Sequence, residues 1–104
     1  MAELARVRAD KLEPGTAVRL DGGPDGVCLV RIGDEFHALG DECSHEDYSL
    51  SEGEVWVEEC QIECPRHGST FDLVTGEACS LPATRPVAVY EVDVADDTVS
   101  VVLS

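Results

Sequence analysis

Short apolar runs rich in Val and Ile alternate with Gly, Asp and Pro along most of the chain, and no window shows helical periodicity longer than two turns. The pattern predicts an all-β fold. The clearest strands are Leu4 to Arg8, Thr16 to Leu20 and Val27 to Ile32, the last turning at Gly33-Asp34 into Glu35 to Leu39. Glu54 to Val57, Gln61 to Glu63 and Thr70 to Leu73 follow, with a stop at Thr75-Gly76. Near the end Ala88, Tyr90, Val92 and Val94 alternate with Val89, Glu91 and Asp93, and past Asp96-Asp97 a strand carries Val99, Val101 and Leu103 on one face. That is a C-terminal hairpin. Two polar stretches break the rhythm, Gly40 to Gly53 (GDECSHEDYSLSEG) and Cys64 to Ser69 (CPRHGS), and both read as loops. With no repeat or dividing linker, one domain over 1–104 is expected.

Charge narrows the partners. The 22 acids against 7 Lys and Arg give a formal net charge of -15, which disfavours nucleic acid, anionic membranes and acidic substrates through Coulomb repulsion. The 43% of hydrophobic residues can still supply a modest core. The opening MAELARVRADKLEPG has no signal-peptide run, and no stretch approaches the roughly 20 apolar residues of a membrane span, so a soluble, cytoplasmic, monomeric protein is expected. Five cysteines, an odd number, rule out a complete disulfide framework and fit a reducing compartment where thiols serve metals or packing.

The two polar loops carry the candidate chemistry. Cys43 and His45 have one residue between them in the first, Cys64 and His67 two in the second, and 18 residues separate His45 from Cys64. Gly68 permits a tight backbone approach, and Pro65 fixes φ and removes one N–H. A structural zinc site usually takes two cysteines from one knuckle and two histidines from a helix, whereas here each loop gives one of each. Such mixed pairs suit a dinuclear cluster with two thiolates on one iron and two imidazoles on the other, the Rieske [2Fe-2S] arrangement.

The run CSH from Cys43, ECPRHGSTFDLVTG from Glu63 and LPATRPVAVYEVDV from Leu81 resembles the Rieske-type ferredoxins of bacterial multicomponent oxygenases, over nearly the whole chain. The resemblance implies stacked antiparallel sheets with a small cluster-binding subdomain at the tip, formed by loops near 41–50 and 63–69. It implies one [2Fe-2S] cluster, held by Cys43 and Cys64 on the buried iron and by His45 and His67 on the outer one, with Pro82 in a shielding loop. Respiratory-chain relatives have a loop-tying disulfide where this chain has Tyr48 and Arg66, so that bridge is absent. Ser69 matches a serine that hydrogen-bonds the cluster in high-potential members, but Phe71 stands where they have a tyrosine. The missing hydroxyl places the potential in the lower half of the roughly −150 to +300 mV Rieske range, with Ser69 and the cation Arg66 pushing upward.

The remaining candidates have plainer readings. Cys28 is read as strand packing, Cys60 as lying on a strand before the second loop, Cys79 as packing or tolerated, His37 as a sheet side chain, and Trp56 and Tyr90 as core. With two of three histidines taken, no two-histidine, one-carboxylate iron site can be assembled, and there is no G-x-G-x-x-G fingerprint. The leading expectation is a non-catalytic electron carrier between a ferredoxin reductase and a terminal oxygenase. The alternatives are an electron-transfer or accessory Rieske protein of another system, such as iron–sulfur assembly or a nitrite-reductase type, and a zinc-stabilised interaction module. Between Arg31 and Arg66 there is no Lys or Arg, while Asp34, Glu35, Asp41, Glu42, Glu46, Asp47, Glu52, Glu54, Glu58, Glu59 and Glu63 supply -11 of the -15. These acids are a candidate docking surface for basic patches on redox partners.

Overall fold

The computed structural model describes residues 4–21, 26–41, 49–64, 68–79 and 86–102. Among these it has nine strands: β1 (Leu4–Arg8), β2 (Thr16–Leu20), β3 (Val27–Ile32), β4 (Glu35–Gly40), β5 (Val55–Trp56), β6 (Gln61–Glu63), β7 (Thr70–Asp72), β8 (Val89–Ala95) and β9 (Thr98–Val102). All pair antiparallel. Six form one sheet in the order β1-β9-β8-β4-β3-β2, and β5-β6-β7 form a second, smaller one. The all-β expectation with stacked sheets holds.

The fold turns on β3. A half-exposed strand would alternate, but Val27, Cys28, Leu29 and Val30 are all buried because both faces of β3 are covered. Val27 and Leu29 share one apolar cluster with Ala5, Ala38, Val99 and Val101. In the sheet β9 and β3 are separated by β8 and β4, so their joint burial means that the six-stranded sheet curls around this cluster. Cys28 and Val30 point the other way, into a second cluster with Leu39, Leu50, Ile62, Cys64, Phe71, Leu73 and Val87. This second core glues the small sheet to the large one. Each of its large fully buried side chains contributes about 1.5–3 kcal/mol of burial free energy.

Local chemistry sets the turns. Asp96 and Asp97 both adopt left-handed φ, 50° and 61°, as a two-residue primed hairpin turn requires, and aspartate tolerates that region better than most residues. Arg31 ends the apolar run of β3 and donates to the carbonyls of Leu12 at 2.8 Å and Ala9 at 3.3 Å, tying down the 3-10 turn at Ala9–Lys11.

Several expectations are corrected. The strand expected over Glu54 to Val57 shrinks to Val55–Trp56, and Trp56 is exposed, not core. Val94 lies past the covered part of β8 and is exposed, while Tyr90 and Val92 pack against the first cluster as half-buried residues. Cys60 lies in a turn with φ 56° rather than on a strand. Leu103 falls outside the described residues.

Candidate metal centre

Of the residues singled out from sequence, Cys64, Ser69 and Phe71 are described; Cys43, His45, Tyr48, Arg66, His67 and Pro82 lie outside the described residues. What the structure does show is how the segments carrying them are anchored.

Cys64 follows directly on β6 and is fully buried in the second core. Its N–H donates to the Ser69 carbonyl at 2.7 Å, continuing the β6–β7 ladder beyond the Glu63–Thr70 pair, and Gly68 N–H donates back to the Cys64 carbonyl at 3.1 Å. Gly68 has φ 73°, the left-handed conformation in which glycine is at ease. The second loop therefore closes on a two-bond base, with Ser69 and Phe71 both fully buried beside it.

The first loop is closed in the same manner. Gly40 N–H donates to Ala88 at 2.9 Å, Asp41 N–H to Gly26 at 3.1 Å, and the far end returns through Leu50 N–H to the Asp41 carbonyl at 2.7 Å. A 3-10 turn at Leu50–Glu52 then leads to Gly53, whose N–H meets the Leu50 carbonyl at 2.9 Å. Gly53 lies directly on the Glu63 carbonyl, so that a Cβ there would overlap it, and Glu63 N–H donates to Glu54 at 2.8 Å. The exit of the first loop is thereby laid against the residue preceding Cys64. Both loops, each with one cysteine and one histidine, hang from one shared base.

A third anchor went unread in the sequence. Residues 76–79 run back along β7: Asp72 N–H donates to Glu77 at 2.9 Å, Cys79 N–H to Thr70 at 2.7 Å, and Phe71 bridges Ala78. Across the gap, Val87 N–H donates to the Gly76 carbonyl at 2.8 Å. The described residues that flank 80–85 are thus tied down, Cys79 to β7 and Val87 to the turn that follows it. That turn is an Asx turn, with Asp72 Oδ1 accepting from Val74 and Thr75 at 2.8 and 3.0 Å.

The other cysteines are set apart. Cys60 and Cys64 are at opposite ends of β6, and four residues of extended chain span roughly 13 Å, too far for both sulfurs to hold one centre. Cys60 Sγ instead lies 4.0 Å from His37 Nε2, itself 3.6 Å from Glu35. Burial pushes the thiols of Cys28, Cys60 and Cys79 above their ordinary range, with Asp41 adding to the effect at Cys28 and Asp72 at the other two. None is therefore primed as a thiolate. Among the described residues no group of three or more His, Cys, Asp or Glu gathers to hold a metal.

The acidic stretch divides in two. Asp34 and Glu35 sit at the β3–β4 turn, and Glu58 and Glu59 at the β5–β6 turn, which the His37–Cys60 contact places at the end of the fold away from Cys64. Glu52 and Glu54 are exposed beside the loop base. Asp41 is a correction to the surface reading, since its side chain is buried.

The donor set of two thiols and two imidazoles, on loops with a common base beside a dry apolar core, fits a dinuclear iron–sulfur centre. A family model described as Rieske [2Fe-2S] domain matches residues 3–91. The chain is 44% identical over 80 residues to the 3-phenylpropionate/cinnamic acid dioxygenase ferredoxin subunit of Escherichia coli (strain K12), covering 77% of this chain and 74% of that one. Its fold superposes on the ferredoxin of carbazole 1,9a-dioxygenase from Nocardioides aromaticivorans IC177 with TM-score 0.93 at 34% identity, over 100% and 99% of the two chains. A structure of reduced oxygenase in complex with oxidized ferredoxin, from a carbazole 1,9a-dioxygenase, matches with TM-score 0.83 at 40% identity, over 90% and 95%.

Proposed function

We infer the working partners of this chain from its family: it belongs to the Rieske [2Fe-2S] domain family. It is a ferredoxin of the dioxygenase type, an electron carrier that binds one [2Fe-2S] cluster, and not a catalyst. The finer reading is that it takes one electron at a time from a ferredoxin reductase and delivers it to a terminal ring-hydroxylating oxygenase. The oxygenase–ferredoxin complex of the carbazole system supports the delivery half. We place the chain in the cytoplasm as a monomer, with 1–104 as one domain; among the described residues no helix is long and apolar enough to cross a membrane.

Cys43 and Cys64 would hold the inner iron, His45 and His67 the outer one, and the bound cluster supplies reversible one-electron exchange. The observation that carries this reading is Cys64: fully buried, at the end of β6, on the base that both loops share. Its surroundings keep water from the sulfur, and the acids of the neighbouring surface orient a basic partner toward the loops. The zinc module and the accessory-protein alternatives have no comparable support.

Phe71 tunes the site by what it lacks. It is fully buried one residue beyond Ser69 and Thr70, without a hydroxyl to stabilise a reduced, more negative centre. Phe71→Tyr should raise the midpoint potential measured by protein-film voltammetry; an unchanged or lowered value would show that the ring does not face the centre.

Docking by charge has its own signature. Stopped-flow reduction of the protein by a dioxygenase reductase should slow as salt rises, since exposed charges are screened beyond about 10 Å at 0.1 M. Glu52→Gln with Glu54→Gln should flatten that dependence, whereas Glu58→Gln with Glu59→Gln, at the remote turn, should leave it intact. Equal effects of the two pairs would mean that net charge alone matters.

A further inference from the structure

Asp41 combines three roles that the surface reading of its charge missed. Its main-chain carbonyl accepts from Leu50, and its Oδ1 accepts from Ser51 N–H at 2.8 Å, so one residue latches the far end of the first loop to its start. Its Oδ2 is buried and has no hydrogen-bond partner among the described residues. Among the described residues that oxygen makes one ion pair, with Arg19 on β2, Nε to Oδ2 3.7 Å, with the arginine side chain 54% exposed and the carboxylate 1%. A buried carboxylate oxygen without a hydrogen-bond donor costs free energy that a surface carboxylate would not. The arginine is itself fitted: Gly26, at φ 82°, leaves space for the guanidinium, and a Cβ there would fall 2.9 Å from Arg19 Nε. The field of Asp41 also reaches inward, since after burial it is the cause that raises the Cys28 thiol, and Cys28 packs in the same apolar cluster as Cys64.

We propose that Asp41 is a positioning residue for the metal centre: it holds the first loop closed and, as a fixed negative charge at the loop's base, keeps the reduction potential low, with Arg19 as the opposing half of the pair. The inference rests on Cys43, His45, Cys64 and His67 being the ligands. Reduction adds one negative charge to the centre, and a carboxylate in the poorly screened interior opposes that gain. Arg19 favours it, less strongly, because water screens its exposed head.

The test is the midpoint potential of the cluster-loaded protein, with iron and labile sulfide assayed in every sample. Asp41→Asn keeps an acceptor for Ser51 and removes the charge, so it should retain the cluster and shift the equilibrium toward the reduced form about tenfold, 59 mV for one electron. Arg19→Gln, at an exposed position that makes no latch bond, should shift it the opposite way by less, and high salt should shrink the difference. Asp41→Ala loses the latch as well and should release iron to a chelator several-fold faster than Asp41→Asn. A role in folding alone would not give shifts of opposite sign. Loaded variants whose potentials stay at the wild-type value, or move in the same direction, overturn the inference. A wild-type chain that holds no iron and sulfide overturns the ligand reading, and the inference falls with it.

Discussion

Replacing Gly53 by alanine should strip the metal centre and destabilise the fold by about 2–4 kcal/mol. The cause is space, not backbone conformation. Gly53 has φ -84° and ψ 178°, angles that any residue adopts, so the substitution would ordinarily be mildly stabilising by about 0.4–1 kcal/mol. Here the new methyl group falls on the Glu63 carbonyl, and main chain cannot swing aside as a flexible side chain can. The relief must come from separating the exit of the first loop from the entry to the second, which pulls apart the base beneath both Cys–His pairs. Thermal unfolding and iron per chain would both fall. Gly33→Ala is the control: Gly33 has φ 60° but nothing within 4 Å of a Cβ, and it lies in the remote β3–β4 turn. It should cost about 1 kcal/mol and no iron. A Gly53→Ala protein with wild-type melting temperature and iron content would show that the two loops do not depend on their contact.

The second large effect separates the two cysteines that flank β6. Cys64→Ser should yield a colourless protein without iron, because a hydroxyl is a hard, un-ionised substitute for a thiolate and leaves three ligands for two irons. Burying that hydroxyl among Leu50, Ile62, Phe71 and Leu73 should also cost about 1–3 kcal/mol. Cys60→Ser, four residues earlier, gives up only a 4.0 Å sulfur–imidazole contact in a half-buried turn and should keep its full iron. Iron analysis of the two purified variants decides the matter. Retention by Cys64→Ser and loss by Cys60→Ser would reverse the assignment.

The strands and hairpins were legible in the sequence wherever local chemistry determined them. The turns at Gly33-Asp34 and Asp96-Asp97 stand where the alternating pattern put them, since left-handed φ and period-two burial leave their mark within a few residues. Features set by tertiary contact were not legible. Trp56 reads as core by size, yet it sits on a two-residue strand at the edge of the small sheet, where nothing covers it enough to bury it. Cys60 adopts left-handed φ with no glycine to signal it. The segment 76–79 pairs with β7 through backbone bonds that its polar residues do not announce. Asp41 looked like one more surface acid in a run of them; only the return of the chain at Leu50–Ser51, and Arg19 reaching over from β2, reveal it as buried. The candidate centre was read from CSH and CPRHGS, whose Cys–His spacing carries ligand chemistry; of its four residues the structure describes Cys64, buried where the second loop begins.

We place the Rieske cluster of this chain on two loops with a common base. Iron, zinc and labile-sulfide analysis of the purified protein, together with its visible spectrum before and after reduction, tests it most directly. Two irons and two sulfides per chain are expected, as the family's [2Fe-2S] cluster requires, with a coloured protein that bleaches reversibly on one-electron reduction. A colourless protein holding one zinc and no sulfide would contradict it.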